Sequence, residues 1–239
     1  MKSLRLFPVL FLALAAWATP AAAQRPVGGG FSISGSGTVV TDYRFRGISQ
    51  SNGDPALQAT ITLDHQSGLY AGAFGSTLSD DMRPGEIELD GFVGYTREIA
   101  SGTDVDVGLQ FYGFPNNGSI TNASYFEPYA SVRHTLGPVT GEIGAAYVPE
   151  QEAFGDNDSL HVFTDLRGGV PFTPLTIVGR IGYTSGPARF SGFGDYLDWR
   201  VGVQYVLGPA TIGLDYVDND LPSGPRTEAT LVGSVRFGF

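Results

Sequence analysis

Apolar and polar residues alternate in short segments along most of the chain, and turn residues separate the segments, whereas many of the 34 glycines lie within them. An alternation with a period of two is typical of β-strands that have one apolar and one polar face. It predicts an all-β chain of twelve strands. Their predicted ranges are 31–46, 56–64, 69–77, 86–97, 103–112, 124–133, 139–148, 159–169, 174–184, 196–206, 210–217 and 227–239.

The connections between these segments alternate in length. Short ones at 65–68, 98–102, 135–138, 170–173 and 207–209 fall between longer ones at 47–55, 78–85, 113–122, 149–158, 185–194 and 218–226. An even number of strands joined alternately by short turns and long loops is the pattern of an outer-membrane barrel. The predicted fold is therefore a single antiparallel up-and-down transmembrane β-barrel of about 12 strands, over residues 24–239.

Each outward strand face tested lacks charged side chains, as a lipid-facing wall requires, because Arg or Lys near the bilayer midplane costs roughly 2–4 kcal/mol. Two strands fit less well. Segment 69–77 is small or apolar on both faces, and Pro128 within 124–133 predicts a bulge or a local break. The last strand shows the pattern most plainly, with Ala229, Leu231, Gly233, Val235, Phe237 and Phe239 alternating with Glu228, Thr230, Ser234 and Arg236.

Aromatic side chains fall at the outward ends of the strands and predict two interfacial girdles. Cross-strand pairing in a soluble sheet would explain their number but not this sorting. Phe237 and Phe239 also form the predicted assembly signal at the end of the last strand. The girdle near the long loops holds Tyr43, Phe111, Tyr147, Tyr183 and Tyr216, and the girdle near the short turns holds Tyr95, Tyr205, Phe237 and Phe239.

The first 23 residues carry Lys2 and Arg5, then an apolar run, and end in three alanines. This is the pattern of a cleaved secretory signal peptide, and it is too short for a membrane-spanning helix. The chain has no cysteine, which excludes disulfides and lipid attachment through an N-terminal Cys. Its formal net charge of −10 disfavours nucleic acid as a partner.

The same alternation places 12 acids and 7 arginines on the inward faces, a formal lumen charge of −5. Strands two to five contribute only acids, whereas strands eight to ten contribute three arginines and two acids. We hypothesise an acidic wall opposite an arginine-bearing wall, which would orient a dipolar solute. The alternative is that these charges pair and fill a narrow lumen. The predicted pore-lining residues are Arg44, Arg46, Asp64, Glu88, Asp90, Asp104, Asp106, Glu127, Arg133, Asp165, Arg167, Arg180, Asp198, Arg200, Asp215, Glu228 and Arg236, with Asp42 and Glu142 also inward.

Catalytic chemistry has little support in the sequence. A lipid hydrolase of barrel type needs Ser and His side by side on the outer wall, whereas His65 and His134 fall beside short turns and His161 points inward. Acidic loop runs such as 156–158 and 218–220 could bind Ca²⁺ loosely, but solvated loops are the simpler interpretation. No catalytic residue, metal site or cofactor is predicted.

One stretch is specific enough to indicate a family. Residues 41–51 read TDYRFRGISQS, followed by DPALQ at 54–58, SGLYAG at 67–72 and DGFVGY at 90–95. This sequence resembles the TorF-type family of porin-like proteins from proteobacteria, and the similarity extends over essentially all of residues 24–239. The resemblance implies an outer-membrane pore-like barrel, with no settled substrate and no catalytic residues.

The sequence therefore predicts a porin-like channel for passive diffusion of small hydrophilic solutes or ions across the cell outer membrane. Its partners would be outer-membrane lipid, lipopolysaccharide and the barrel-assembly machinery. Loop 113–122 or loop 185–194 could constrict the channel, with Phe190 and Phe193 as gate residues. A closed structural or adhesive barrel whose loops bind partners, and a secreted soluble β-sandwich, are the alternatives.

Overall fold

The computed structural model describes residues 25–79, 85–116, 119–120, 123–187 and 194–239, and most of this backbone is antiparallel β-strand. Residues Glu152–Phe154 form one 3-10 turn. The strands are β1 (Arg25–Gly28), β2 (Phe31–Val40), β3 (Arg44–Phe45), β4 (Ile48–Ser49), β5 (Ala56–His65), β6 (Leu69–Thr77), β7 (Ile87–Ala100), β8 (Thr103–Tyr112), β9 (Pro115–Asn116), β10 (Ser119–Ile120), β11 (Tyr125–Leu136), β12 (Val139–Gln151), β13 (Asn157–Gly169), β14 (Leu175–Ser185), β15 (Tyr196–Leu207), β16 (Ala210–Asn219) and β17 (Thr230–Gly238).

Twelve of these strands form a closed ring, in the order β2, β5, β6, β7, β8, β11, β12, β13, β14, β15, β16 and β17. The ring closes where β17 pairs with residues 36–40 of β2. Phe239 and Gly35 exchange two backbone hydrogen bonds of 3.0 Å at this seam, and β1 pairs with residues 31–33 of β2 beyond it. Every strand of the ring therefore has a partner on both sides, which satisfies the backbone as a bilayer requires.

The predicted all-β barrel of twelve antiparallel strands is confirmed, and most strand bounds agree within three residues. The predicted end of the first strand was wrong. The strand ends at Val40, where the chain leaves the wall, and does not continue to residue 46. The expected irregularity at Pro128 is a local break in pairing and not a bulge. Pro128 lies directly opposite Leu109 in a β8–β11 ladder that has no register shift, whereas β11 pairs with β12 only from Tyr129 onward, so that the missing N–H of Pro128 is tolerated.

The two ends of the barrel differ in their connections. One end, here called the turn end, carries short turns such as 101–102, 137–138 and 208–209, and the other, the loop end, carries longer loops such as 41–55 and 220–229. The described residues contain no helix long and apolar enough to span a membrane. The sorting of short and long connections therefore follows the pattern predicted from the sequence.

The outer wall is apolar, since Leu, Ile, Val, Phe and Tyr side chains of every ring strand are exposed there. Tyr147, Tyr183 and Tyr216 are outward near the loop end, and Tyr205, Phe237 and Phe239 near the turn end, as the two girdles require. Tyr43 was wrongly placed in the girdle. It is fully buried inside the barrel, because the chain has left the wall before it.

Replacing Ile143 with Arg tests whether this outer face meets lipid. Ile143 is 68% exposed within β12, so a bilayer would make its substitution by Arg cost roughly 2–4 kcal/mol of unfolding free energy. Denaturant titration of the barrel in lipid vesicles measures this change. Leu136→Arg is the matched control, because Leu136 is 74% exposed but ends β11 at the turn end, where the cost falls to about 0–1 kcal/mol. Equal costs at the two positions would contradict a lipid-facing wall.

Candidate functional site

The lumen of the barrel is crossed by the segment that joins β2 to β5, residues 41–55, here called the inner loop. Its central part is the small β3–β4 hairpin, whose turn needs a left-handed backbone at Arg46 (φ 48°) and Gly47 (φ 80°). Tyr43, Phe45 and Ile48 are buried, so the loop places its apolar side chains inside the barrel. The hydrophobic effect therefore favours the inward position of the loop over exposure in water.

A buried carboxylate holds the shape of the inner loop. Asp42 accepts hydrogen bonds from the hydroxyls of Ser49 (2.5 Å) and Ser51 (3.1 Å) and forms an ion pair with Arg44. The backbone N–H of Tyr43 donates to the Ser51 hydroxyl at 2.8 Å. Because these bonds join both arms of the loop, they stabilise its conformation from within.

Aromatic contacts attach the inner loop to the wall on the β6–β11 side. The rings of Tyr43 and Phe74 lie edge to face at 6.5 Å, and those of Phe45 and Tyr112 at 5.7 Å. Tyr112 in turn stacks on Tyr125 at 4.5 Å. Edge-to-face and offset pairs of this kind add about 0.5–1.5 kcal/mol each beyond the burial of their surface.

Two arginines anchor the inner loop on opposite sides of the barrel. Arg46 donates two hydrogen bonds to the Glu127 carboxylate on β11, at 2.7 and 2.8 Å. Arg44 donates to the carbonyl oxygens of Arg226 and Glu228, which precede β17, at 3.1 and 3.0 Å. Since β11 and β17 are six strands apart in the ring of twelve, the loop spans the lumen from one side to the other.

The position of the inner loop changes part of the predicted channel. Arg44 and Arg46 were predicted on the wall of the first strand, but they lie on the hairpin inside the barrel. The inner loop crosses the lumen, whereas the sequence singled out loops 113–122 and 185–194 as constrictions. Phe190 and Phe193 lie outside the described residues, so their predicted role as gate residues remains a prediction. Glu228 also lies off the wall, in the exposed segment before β17.

The lumen wall below the inner loop carries a belt of charged residues from six neighbouring strands. Direct cross-strand partners follow one another from β8 to β15, so that each charged side chain stands beside the next. The ion pairs along it include Arg180 to Asp165 at 2.8 Å and Arg133 to Glu142 at 3.5 Å, and Arg200 lies 3.7 Å from Asp165 and 3.6 Å from Asp215. In order, the belt consists of Asp104, Arg133, Glu142, Asp165, Arg180 and Arg200.

Two further acids, Asp106 on β8 and Glu127 on β11, have tyrosine partners. Asp106 accepts a hydrogen bond from the Tyr70 hydroxyl at 2.6 Å, and Tyr70 also bonds to the Tyr129 hydroxyl. Glu127 accepts a bond from Tyr112 at 3.0 Å in addition to those from Arg46. The side predicted as an acidic wall is therefore largely lined by tyrosines and the inner loop, with its carboxylates held beneath them.

A protein-family model matches almost the whole chain. The model described as a bacterial protein of unknown function, Gcw_chp, matches residues 23–234. The chain belongs to the Gcw_chp family. No curated protein matches the sequence of this Gcw_chp member.

Solved structures similar to this Gcw_chp barrel are outer-membrane porins and channels. The KdgM porin in complex with disordered oligogalacturonate has a TM-score of 0.55 at 9% identity, over 86% of this chain and 95% of the porin. The outer membrane protein OpdK of Pseudomonas aeruginosa has a TM-score of 0.49 at 11% identity, over 90% and 68%. Salmonella typhi OmpF has a TM-score of 0.48 at 10% identity, over 87% and 97%. The likeness to KdgM shows that the Gcw_chp chain has a porin fold.

His161 is a lumen residue of the Gcw_chp barrel, as its inward position predicted. Its Nδ1 lies 2.9 Å from the Thr184 hydroxyl, and Arg180 lies 3.3 Å from its Nε2. Because the guanidinium only donates, Nε2 is the acceptor and Nδ1 carries the proton toward Thr184. These partners are those of a neutral structural histidine and do not include a serine.

The loops of the Gcw_chp barrel hold their acids in local hydrogen bonds. Asp195 accepts bonds from the Gly186 backbone N–H at 2.8 Å and the Tyr183 hydroxyl at 2.9 Å, and these two bonds lower the pKa of Asp195 below its ordinary value. The two bonds join the ends of the connection between β14 and β15. Within the ranges that the structure describes, no three histidine or carboxylate side chains form a group suited to a metal ion.

Sequence reasoning missed two parts of the lumen. The inner loop was read as a continuation of the first strand, because Val39, Thr41, Tyr43 and Phe45 keep the alternation. The phenol network of Tyr70 and Tyr129 was also missed, although a signal existed. Glycine occupies the inward positions beside the two tyrosine rings. A Cβ atom at Gly94 would lie within 2.5 Å of the Tyr70 side chain, and one at Gly108 within 2.5 Å of the Tyr129 side chain.

Proposed function

We propose that this Gcw_chp barrel is an outer-membrane channel for passive diffusion of small hydrophilic solutes or ions. The observation that carries the proposal is the opposite character of the two faces of one closed ring. The outer face exposes Leu, Ile, Val and aromatic side chains, whereas the inner face carries Asp, Glu or Arg side chains from almost every strand. Such a ring is suited to separating lipid outside from water inside.

The inner loop would set the narrowest part of this channel. It crosses the lumen near the loop end and is anchored through Glu127 on one side and the segment before β17 on the other. A constriction made by a folded loop restricts passage to small solutes, because pore width and lining groups decide what can enter.

Export and placement follow from the sequence. Residues 1–23 would act as a cleaved signal peptide, the turn end would face the periplasm, and the long loops would face the cell exterior, where lipopolysaccharide is the neighbouring lipid. The barrel-assembly machinery would insert the chain, with Phe237 and Phe239 as its signal. The resemblance of residues 41–51 to TorF-type proteins, and the oligogalacturonate bound by the KdgM porin, are compatible with a solute channel.

Conductance of the purified barrel in a planar lipid bilayer tests the channel function. The folded barrel is recognised by a change in its migration on a denaturing gel when the sample is heated. We expect this folded protein to give discrete single-channel current steps. Folded protein that inserts into lipid and never conducts would contradict the proposal.

A closed structural barrel is the second candidate, and one observation favours it. Tyr43, Phe45 and Ile48 of the inner loop and the tyrosines of the β6–β11 side are buried, so that their side chains fill part of the lumen. In this case the long loops, and not the lumen, would carry the function by binding partners at the cell surface. The absence of conductance, together with insertion into lipid, would support this candidate over the channel.

A further inference from the structure

The ladder between β11 and β12 ends before the two strands do. Its last direct partners on the loop-end side are Tyr129 and Ala146. Beyond them β11 continues to Tyr125, where it pairs with β8, and β12 continues to Gln151, where it pairs with β13. Among the described residues, this loop-end stretch of the wall therefore has no ladder between β11 and β12.

Two prolines explain why the ladder stops there. Continued in the same register, it would next place Pro128 opposite Tyr147. Further toward the loop end it would place Phe126 opposite Pro149. Neither proline has a backbone N–H, so each removes a donor that a continued ladder would use. The interruption is therefore specified by the sequence of both strands.

The side chain of Gln151 takes the place of the missing ladder. Its amide oxygen accepts a hydrogen bond from the Phe126 backbone N–H at 2.8 Å. Its amide nitrogen donates to the carbonyl oxygens of Phe126 at 2.9 Å and Pro149 at 3.3 Å. An amide side chain can replace a backbone partner in this way because it has the same donor and acceptor groups as a peptide. Gln151 thus acts as a latch between the two strands.

The latch belongs to a segment that extends beyond the regular wall. Residues 149–158, here called the lid, follow the last uninterrupted pair of β12 and β13, which is Val148 with Ser159. The register of these strands shifts between Val148 and Gln151, and an irregularity of this kind bends a strand locally. Within the lid, the Asp156 backbone N–H donates to the Gln151 carbonyl at 3.1 Å. The lid is therefore folded on itself and joined to the wall at a bend.

Phe154 closes the lid on the side of the lumen. Of the lid residues, all of which the structure describes, only Phe154 is buried, with 7% of its surface exposed. Its ring meets that of Tyr125 on β11 edge to face at 4.9 Å. Val148 behind the lid is fully buried, and Glu127 on the unpaired stretch of β11 holds Arg46 of the inner loop. The lid thus lies over the part of the wall to which the inner loop is anchored.

From these contacts we propose that the lid opens at its bend and gives water and solutes a lateral entrance to the loop end of the lumen, beside the inner loop. Opening separates Gln151 from Phe126 and Phe154 from Tyr125, and it leaves every ladder of the ring intact. Segments held by few contacts are the ones that open locally in a folded protein. The movement of the lid does not depend on the proposed channel function, for which it would supply an entrance.

Thiol labelling tests the opening of the lid. The chain has no cysteine, so V148C places a single thiol at a fully buried position behind the lid. Its rate of reaction with a water-soluble maleimide is measured on folded barrels in lipid vesicles. We expect Q151A to raise this rate roughly tenfold, because the hydrogen bonds to Phe126 are lost. The matched control is E150A, since Glu150 is exposed on the lid and makes none of the latch bonds.

A second reporter distinguishes the lid from a general loosening of the lumen. Val232 on β17 is 1% exposed and belongs to the same buried apolar cluster as Val148 and Phe154, but it lies on a distant strand of the ring. We expect the labelling of V232C to be the same with and without Q151A. Equal acceleration at both reporters overturns the lid. A labelling rate of V148C that Q151A does not raise, or that E150A raises as much, overturns it as well.

A disulfide across the interruption tests the lid as an entrance. F126C/P149C places two thiols at facing positions, and A130C/A145C, at direct partners within the ladder, is the matched control. In a planar bilayer we expect the oxidised F126C/P149C barrel to conduct several-fold less than after reduction, and the control to conduct equally in both states. Equal conductance of F126C/P149C in both states overturns the entrance. Barrels that never conduct, but in which Q151A accelerates only V148C labelling, support the lid and contradict the channel function.

Discussion

Shortening the inner loop will increase the single-channel conductance several-fold. The variant replaces residues 42–54 with a glycine-serine tetrapeptide between β2 and β5. Val40 and Ala56 are direct cross-strand partners, so a short connection can close this hairpin without disturbing the ring. The loop that crosses the lumen is then absent, and water and ions can fill the space that Tyr43, Phe45 and Ile48 occupy.

The same tetrapeptide in place of residues 187–194 is the comparison variant. It tests the sequence-based hypothesis that the loop at 185–194 constricts the channel. We expect the larger increase from the inner loop, because that loop is anchored across the lumen. Conductance that is unchanged after removal of the inner loop, in barrels that still show heat-dependent migration, would contradict its role as the constriction.

Replacing Arg46 with Gln will release the inner loop from β11. The side chains of Arg46 and Glu127 are 12% and 2% exposed, so the substitution leaves a buried carboxylate without its cation. Removal of one partner of a buried ion pair costs about 3–5 kcal/mol. Hydrogen exchange of the inner-loop amides measures the effect, and their protection should fall by roughly a hundredfold or more at this cost.

The double variant R46Q/E127Q distinguishes the loss of the attraction between Arg46 and Glu127 from the cost of leaving Glu127 as a buried, unpaired charge. With both charges removed, the amide of residue 127 can pair with that of residue 46, and we expect a substantial part of the protection to return. Amides at the turn end of β14, residues 175–178, serve as the internal reference, because the inner loop crosses the lumen near the loop end. Equal protection of the inner loop in R46Q and in the wild type would show that Arg46 does not hold it.

The ring of strands could be predicted from the sequence, because the pattern that marks each strand lies within that strand. Each strand must present apolar residues at every second position to lipid, and a short turn or a long loop must follow. Ile177 and Ile181, for example, face outward as the period of two requires, and Arg180 faces inward between them. A single strand contains enough information for this assignment.

The inner loop could not be predicted in this way, because its position depends on contacts between distant residues. Val39, Thr41, Tyr43 and Phe45 continue the alternation, and nothing local marks the departure of the chain from the wall. The inward position of the loop depends on the left-handed turn at Arg46 and Gly47 and on the anchor at Glu127, which lies 81 positions after Arg46. Glycine at 47 is a weak signal on its own, since the chain has 34 glycines.

Which charged groups of the lumen are accessible could not be predicted either. Counting inward residues gives more acids than arginines, but the count does not say which group covers the other. Arginine reaches over its partner because its side chain is longer, and the Arg200 side chain is 16% exposed whereas that of Asp215 is 3%. Side-chain length and register, and not composition, therefore determine what a solute in the lumen would meet.

The anchor of Arg44 also implies an order of events during biogenesis. Arg44 and Ser49 bond to residues 226 and 228, which are 177 to 184 positions later in the chain and directly precede β17. These bonds cannot form until the last strand has reached its place beside β2. Contacts of such long range are late in folding because the intervening chain must first be ordered. In a nascent barrel the inner loop would thus be held only on the β6–β11 side, and its second anchor would form when the ring closes.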